Sequence, residues 1–273
     1  MKHKTMREPS ARLLATLHRD NKEFFILSEA VKILSASNPD AVRKLISNMV
    51  KRGLLFRIKD GLYSIIPHDK DADAYQPNRH GAAKYLTQGA AYYIGYYSAM
   101  QIHSLITQPA LREQIAVNEQ MRPGILRVKD VEFQFIYHNK EHFFGYKNIW
   151  VDSYNKAPCS DLEKTFIDGL FKPDYAGGIA EIAKAIFKSR DKIDYKKLYE
   201  YSKKFNSQAV IKRLGFLLEL LEINHPIIEK LNRLKTHSFI LLEPSYKKEG
   251  KRQSRWSIQQ NMDTNSIREP LYA

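Results

Sequence analysis

Residues 38–67 admit few folds. Asn38 is a good helix cap, and Pro39 suits the first helical position, where a missing N–H costs nothing. Val42, Leu45, Ile46 and Met49 then recur at the i, i+3, i+4, i+7 spacing of a buried helical face, and Gly53 supplies the stop. Two β-prone runs follow at once, 54–58 and 62–67, on either side of Asp60-Gly61, a strong hairpin signal. Upstream, residues 9–17 read as a helix with Leu13, Leu14 and Leu17 on one face, then Phe24-Phe25-Ile26 as a short extended piece. Ser28 reads as the N-cap of a second helix, 29–34. Helix, helix, capped helix, hairpin is the order of a winged helix-turn-helix, expected here over residues 1–67.

In that geometry the third helix enters the major groove and the hairpin tip reaches a neighbouring groove or phosphate. Arg43, Lys44, Ser47, Asn48 and Lys51 fall opposite the apolar face. Arg43, Lys44, Ser47 and Asn48 suit base edges; Ser28, Lys51, Arg57 and Lys59 suit the phosphate backbone, with Ser37 and Asn38 in the break between helices. The competing reading is a winged helix used for protein contacts, its basic face merely solvated.

Charge favours the first reading. Lys and Arg number 44 against 30 Asp and Glu, a formal net charge of +14, which attracts polyanions. Half of that excess lies in residues 1–67.

Residues 68–80 are polar and without periodicity, the expected linker to a larger domain over 81–273. In this second region Tyr92-Tyr93-Ile94-Gly95 is extended and 96–104 is helical. Runs 114–117, 125–128, 131–137 and 147–154 are β-prone, which predicts an antiparallel sheet. Ser160-Asp161-Leu162-Glu163 has the form of a capping box, with Ser160 as the cap. Further helices are expected through Leu162–Leu170, Ile179–Phe187, Leu198–Phe205, Val210–Leu221 and Ile227–Leu234, then strands at 239–242 and 255–258 around a basic surface loop, 247–252. The fold class expected is α+β, a winged helix-turn-helix followed by a mixed domain of sheet and helices.

The chain also carries, in order, Gly61-Leu62-Tyr63-Ser64-Ile65-Ile66-Pro67, Tyr93-Ile94-Gly95-Tyr96-Tyr97-Ser98-Ala99-Met100-Gln101-Ile102-His103, Ile106-Thr107-Gln108-Pro109, Glu163-Lys164-Thr165-Phe166-Ile167-Asp168, Pro173 and Gly177-Gly178. This ordered set resembles the AbiEi family of antitoxins from bacterial type IV toxin–antitoxin, or abortive-infection, systems of phage defence. The resemblance implies a winged helix that binds inverted repeats in the promoter of its own operon and represses it. It also implies a C-terminal domain that counters a co-encoded toxin of nucleotidyltransferase fold, without need of a stable complex.

Residues suited to catalysis do not assemble along the chain. Asp71-Ala72-Asp73 lacks the Gly-Ser turn of a nucleotidyltransferase. His138 and His142 have the spacing of two metal ligands on a helix, but their β-prone flanks favour a solvated turn. Cys159, the one cysteine, reads as a spectator thiol and His103 as a hydrogen-bonded structural residue. The pairs Lys196-Lys197, Lys203-Lys204 and Lys212-Arg213 read as solvated helix faces or as a second polyanion surface. The expectation is a binding protein with no catalytic residues, cofactor or metal. No apolar run approaches the roughly 20 residues needed to cross a bilayer, so a cytoplasmic location is expected. The alternatives are a transcriptional regulator with a ligand-sensing second domain and an RNA- or nucleotide-modifying enzyme.

Overall fold

The computed structural model describes residues 7–151 and 155–268. The fold is α+β. By their contacts the residues form two units, Met1–Gly89 with Arg127–Val131 and Ala90–Leu126 with Glu132–Ala273.

The first unit contains α1 (Glu8–Arg19), β1 (Phe24–Ile26), α2 (Leu27–Leu34), α3 (Pro39–Lys51), β2 (Leu55–Lys59), β3 (Leu62–Ile65) and α4 (Arg79–Leu86). Its sheet has the order β1-β3-β2, antiparallel throughout, with Phe25 opposite Tyr63 and Phe56 opposite Ser64. The apolar faces of the first three helices meet over this sheet, burying Leu13, Leu17, Phe25, Ile46, Met49 and Leu55. The N-termini of α2 and α3 are capped in different ways. Asn38 accepts from the Asp40 N–H at 2.9 Å, as expected. Ser28 is not a cap: α2 begins two residues earlier than expected, at Leu27, and Glu29 reaches back to accept the Ile26 N–H at 2.9 Å. A long carboxylate at the third helical position answers the same orphan donor, and its negative charge suits the helix N-terminus.

Residues 68–80 are less detached than a linker. Tyr75 is buried and its hydroxyl lies 2.8 Å from Ser64 Oγ, with burial pushing its pKa up to about 12. Lys129 Nζ donates to the Asp73 and Tyr75 carbonyls and lies over the Phe56 ring. Asn78 then caps α4, a helix whose Gly81 and brief apolar pattern conceal it in the sequence. Gly81 is required there, because a Cβ would stand 2.6 Å from the Phe24 ring.

Next along the chain come β4 (Tyr92–Ile94), α5 (Tyr96–Ile102), β5 (Arg112–Val117), β6 (Ile125–Val128), β7 (Val131–Tyr137), β8 (Tyr146–Trp150) and β9 (Lys156–Ser160), all of the second unit except Arg127, Val128 and Val131. Then follow α6 (Leu162–Phe171), a 3-10 turn (Pro173–Ala176), α7 (Ile179–Ser189), α8 (Tyr195–Phe205), α9 (Gln208–Leu220), α10 (Ile227–Leu234), β10 (Ile240–Leu241), β11 (Lys251–Gln253), β12 (Ile258–Gln260) and α11 (Asn265–Arg268). The six-stranded sheet has the order β6-β7-β5-β4-β9-β8. It is mixed, not antiparallel as expected: β4·β5 and β8·β9 are antiparallel, while β5·β7 and β4·β9 are parallel. Parallel neighbours need crossover connections, and strand patterns in a sequence carry no record of them. Of the strand expected over 147–154, residues 152–154 lie outside those described.

The helices bury Ile167, Leu170, Ile182, Ile186, Leu198, Leu214, Leu217 and Leu231 in one core. Trp256 is sealed into it by Gly215, where a Cβ would come within 2.1 Å of the indole, and its Nε1 donates to Glu219 at 2.7 Å. The residues expected as a strand over 255–258 mostly form the turn that places this tryptophan, with β12 starting at Ile258. The capping expectation at Ser160 also changes. Asp161 is the cap of α6, accepting from the Lys164 N–H at 2.9 Å, whereas Ser160 Oγ bonds to Thr165 Oγ1 and Glu163 accepts from the Asp194 N–H. No helix among the described residues is long and apolar enough to cross a membrane.

Candidate nucleic-acid interface

On α3 the period of 3.6 sorts the side chains cleanly. Val42, Ile46 and Met49 are buried, while Asp40, Arg43, Lys44, Ser47, Asn48 and Lys51 are exposed. The cap at Asn38 sets the first turn, so this polar side has a fixed direction from its beginning. Asn38 therefore spends its side-chain oxygen on the helix, and Ser37 beside it is exposed. Ser28 lies exposed on α2.

Two of the cations are partnered. Arg43 Nη1 lies 3.0 Å from Asp40 Oδ1, one turn back, and Arg57 Nη2 lies 2.8 Å from Asp60 Oδ1 at the hairpin tip. Both pairs are well exposed, so water screens them and a phosphate can compete for the guanidinium. Lys44 and Lys51 make no ion pair among the described residues. A β-bulge interrupts the β2·β3 register between Arg57 and Lys59, and Ile58 between them is buried. Lys59 is half-buried and its pKa is lowered by that loss of water. It shares a groove of about 540 Å³ with Ile26, Asp60, Leu62, Lys84 and Tyr85. Lys84, exposed on α4, adds a cation beside the hairpin tip that periodicity does not reveal, since residues 79–86 carry no clear helical pattern.

The second unit places the remaining candidates in structural roles. His138 and His142 do not form a solvated turn. His138 is buried with Nε2 2.6 Å from the Tyr96 hydroxyl, and His142 stacks on Phe205 while donating from Nε2 to its carbonyl. No cluster of three or more metal-ligating side chains occurs among the described residues. Cys159 is buried, which raises its thiol pKa. His103 donates from Nε2 to the Ser160 carbonyl at 2.8 Å, and burial lowers its pKa.

The basic pairs of the helices are not one surface. Lys212 and Arg213 are buried: Lys212 donates to the Ser238 carbonyl and Thr236, and Arg213 to the carbonyls of Leu170, Leu241 and Leu242. Lys197 is held between Asp161 and Glu163 at 2.9 and 2.8 Å. Burial opposes its charge, but those two carboxylates outweigh it and raise its pKa.

A polar cluster that periodicity also hides lies at the centre of the unit. Lys164 is ion-paired with Asp168, the Tyr93 hydroxyl donates to Asp168 at 2.9 Å, and Lys164 Nζ donates to the Tyr93 oxygen at 3.0 Å. Lys164 Nζ lies within 5.0 to 5.3 Å of the Phe205, Phe144 and Tyr93 ring centres. Both charged side chains are fully buried.

No protein-family model matches the chain, and no curated protein matches it. Among solved structures, the RV2827C protein from Mycobacterium tuberculosis is similar over 98% of this chain and 97% of its own, with a TM-score of 0.74 and 14% identity. At that identity the likeness is one of fold.

Proposed function

We propose that the first unit is a winged helix that binds operator DNA and that the protein is an antitoxin and autorepressor of the AbiEi kind. One observation carries the DNA-binding part: Arg43, Lys44, Ser47, Asn48 and Lys51 stand exposed together on α3, opposite its buried face. In this reading α3 lies in the major groove of an inverted repeat and Arg57, Lys59 and Lys84 meet the flanking backbone. The ordered residue set described above supports the second part. The second unit counters a co-encoded nucleotidyltransferase-fold toxin in the cytoplasm, by binding and not by catalysis, and without need of a stable complex.

Binding of the full chain to a fragment of its own promoter tests the reading. The double variant Arg43→Ala, Lys44→Ala should lose most of the affinity, and unchanged binding rejects the assignment. Co-expression with the adjacent reading frame tests the antitoxin part: growth is restored by the full chain if it neutralises that product.

A further inference from the structure

The small sheet β10-β12-β11 presents a surface that neither the helix core nor the proposed duplex interface uses. Phe239 and Tyr246 are 42% and 55% exposed, two aromatic rings at the start of this sheet and in the loop that follows its first strand. Beside them Lys247, Lys248, Lys251 and Arg252 are all exposed, and none makes an ion pair among the described residues. Glu249 is the one exposed acid of the loop, because Glu243 is buried and accepts from the Ile179 N–H at 2.8 Å. Register places Arg252 opposite Gln259, and its guanidinium lies 5.2 Å from the Phe239 ring centre.

The backbone under these side chains is held. Asn261 Nδ2 donates to the Lys247 carbonyl and Gln259 Nε2 to the Lys248 carbonyl, at 3.1 and 2.9 Å. Gly250, at φ +112°, lets the chain pass so close to the Gln260 carbonyl that a Cβ would sit 2.1 Å from it. On the other side buried Lys212 fixes the turn before Phe239 through the Ser238 carbonyl. The backbone that carries these rings and cations is thus held before any ligand arrives, and binding need order only the side chains.

We propose that residues 239–252 form a binding surface for single-stranded nucleic acid, with Phe239 and Tyr246 stacking on bases and Lys247, Lys248, Lys251 and Arg252 contacting phosphates. A duplex hides the faces of its bases, so exposed rings add nothing to duplex binding. An unpaired strand offers both base faces and closely spaced charge. The surface is separate in sequence and chemistry from α3.

The test is fluorescence anisotropy of the full chain with labelled mixed-sequence strands of about 16 nucleotides, enough for one site. RNA and DNA strands of the same sequence are compared with the promoter duplex. The variant Lys247→Gln, Lys248→Gln, Lys251→Gln, Arg252→Gln is expected to bind single strands at least about tenfold more weakly. Its log–log salt slope should fall by roughly 3, since each phosphate left without a cation accounts for about 0.7. The variant Phe239→Ser, Tyr246→Ser should lose about tenfold on single strands and keep its duplex affinity. All these side chains are exposed, and an unchanged thermal transition certifies folding. A preference for RNA or DNA that the four-fold variant abolishes supports the surface and names its source, and equal affinity abolished by that variant supports it for both strands. Single-strand binding that survives the four-fold variant overturns the proposal, as does an equal loss on duplex and single strand in the ring variant. Arg43→Ala, Lys44→Ala affects duplex binding alone, so the two proposals fail separately.

Discussion

Lys164 and Asp168 stand one helical turn apart on α6 as an ion pair with both side chains fully buried. Removing water from two charges costs several kcal/mol each, and their attraction, with the Tyr93 hydroxyl bonded to both, offsets it only while both are present. Lys164→Met therefore leaves a buried carboxylate uncompensated and is expected to destabilise the second unit by about 3–5 kcal/mol. Adding Asp168→Leu should restore part of that loss. Urea unfolding followed by tryptophan fluorescence reads this unit selectively, since Trp150 and Trp256 are the two tryptophans of the chain. A single variant as stable as the parent would show that the pair contributes nothing.

His138 makes stability depend on acid. Burial pushes its pKa down to about 4 from 6.5; Asp168, 3.9 Å away, opposes that shift and Lys164 adds to it. Its Nδ1 is buried without a hydrogen-bond partner among the described residues. Between pH 6.5 and 4 the unfolded chain takes up a proton that the folded one refuses, so stability is full above 6.5 and falls as the pH drops. The loss is about 3 kcal/mol across that window. His138→Gln should flatten this component of the curve, and a parallel pH profile for the two proteins counts against the assignment.

The acids beside the α3 and hairpin cations set the electrostatics of the proposed interface. Asp60→Asn removes the partner of Arg57 and a negative charge from the hairpin tip. Duplex affinity is expected to rise by a few-fold, irrespective of sequence. Lys51→Ala should weaken binding uniformly and reduce the salt slope by about 0.9, the signature of a single phosphate no longer neutralised. A sequence-dependent loss in Lys51→Ala would assign it to a base edge instead. Lys44→Ala is expected to cost about 1–3 kcal/mol and to relax specificity at one position.

Gly215 is a packing requirement. Its missing Cβ is occupied by the Trp256 ring, with the nearest atom 2.1 Å from where that carbon would be. Gly215→Ala must displace the indole and its bond to Glu219, for a cost of at least about 1–3 kcal/mol. A redshifted tryptophan emission in the folded variant is the check, and an unchanged spectrum and midpoint would refute it.

How much could be read in advance differs from element to element. Helix α3 and the β2–β3 hairpin were legible because their signals are local: Asn38 caps its own helix, Gly53 stops it, and Asp60-Gly61 turns the chain. The exposed set Arg43, Lys44, Ser47, Asn48 and Lys51 follows from helical period alone, so its placement was legible too. Helix α4 was not, since its apolar faces are short and its Gly81 answers to Phe24, a residue far away in sequence. Ser160 shows the same limit: it has the spacing of a capping box, yet Glu163 is drawn to the Asp194 N–H and Asp161 does the capping.

What the amino-acid order determined by itself is the set of elements whose stability is written within one turn of helix or one hairpin, where neighbours in sequence are neighbours in space. Tertiary structure alone decided the parallel pairings β5·β7 and β4·β9, and the burial of Lys164, Lys212 and Arg213. Each of these depends on groups brought from distant segments. A lysine in a bare sequence is a solvated charge until the fold supplies a carboxylate or carbonyl to replace its water.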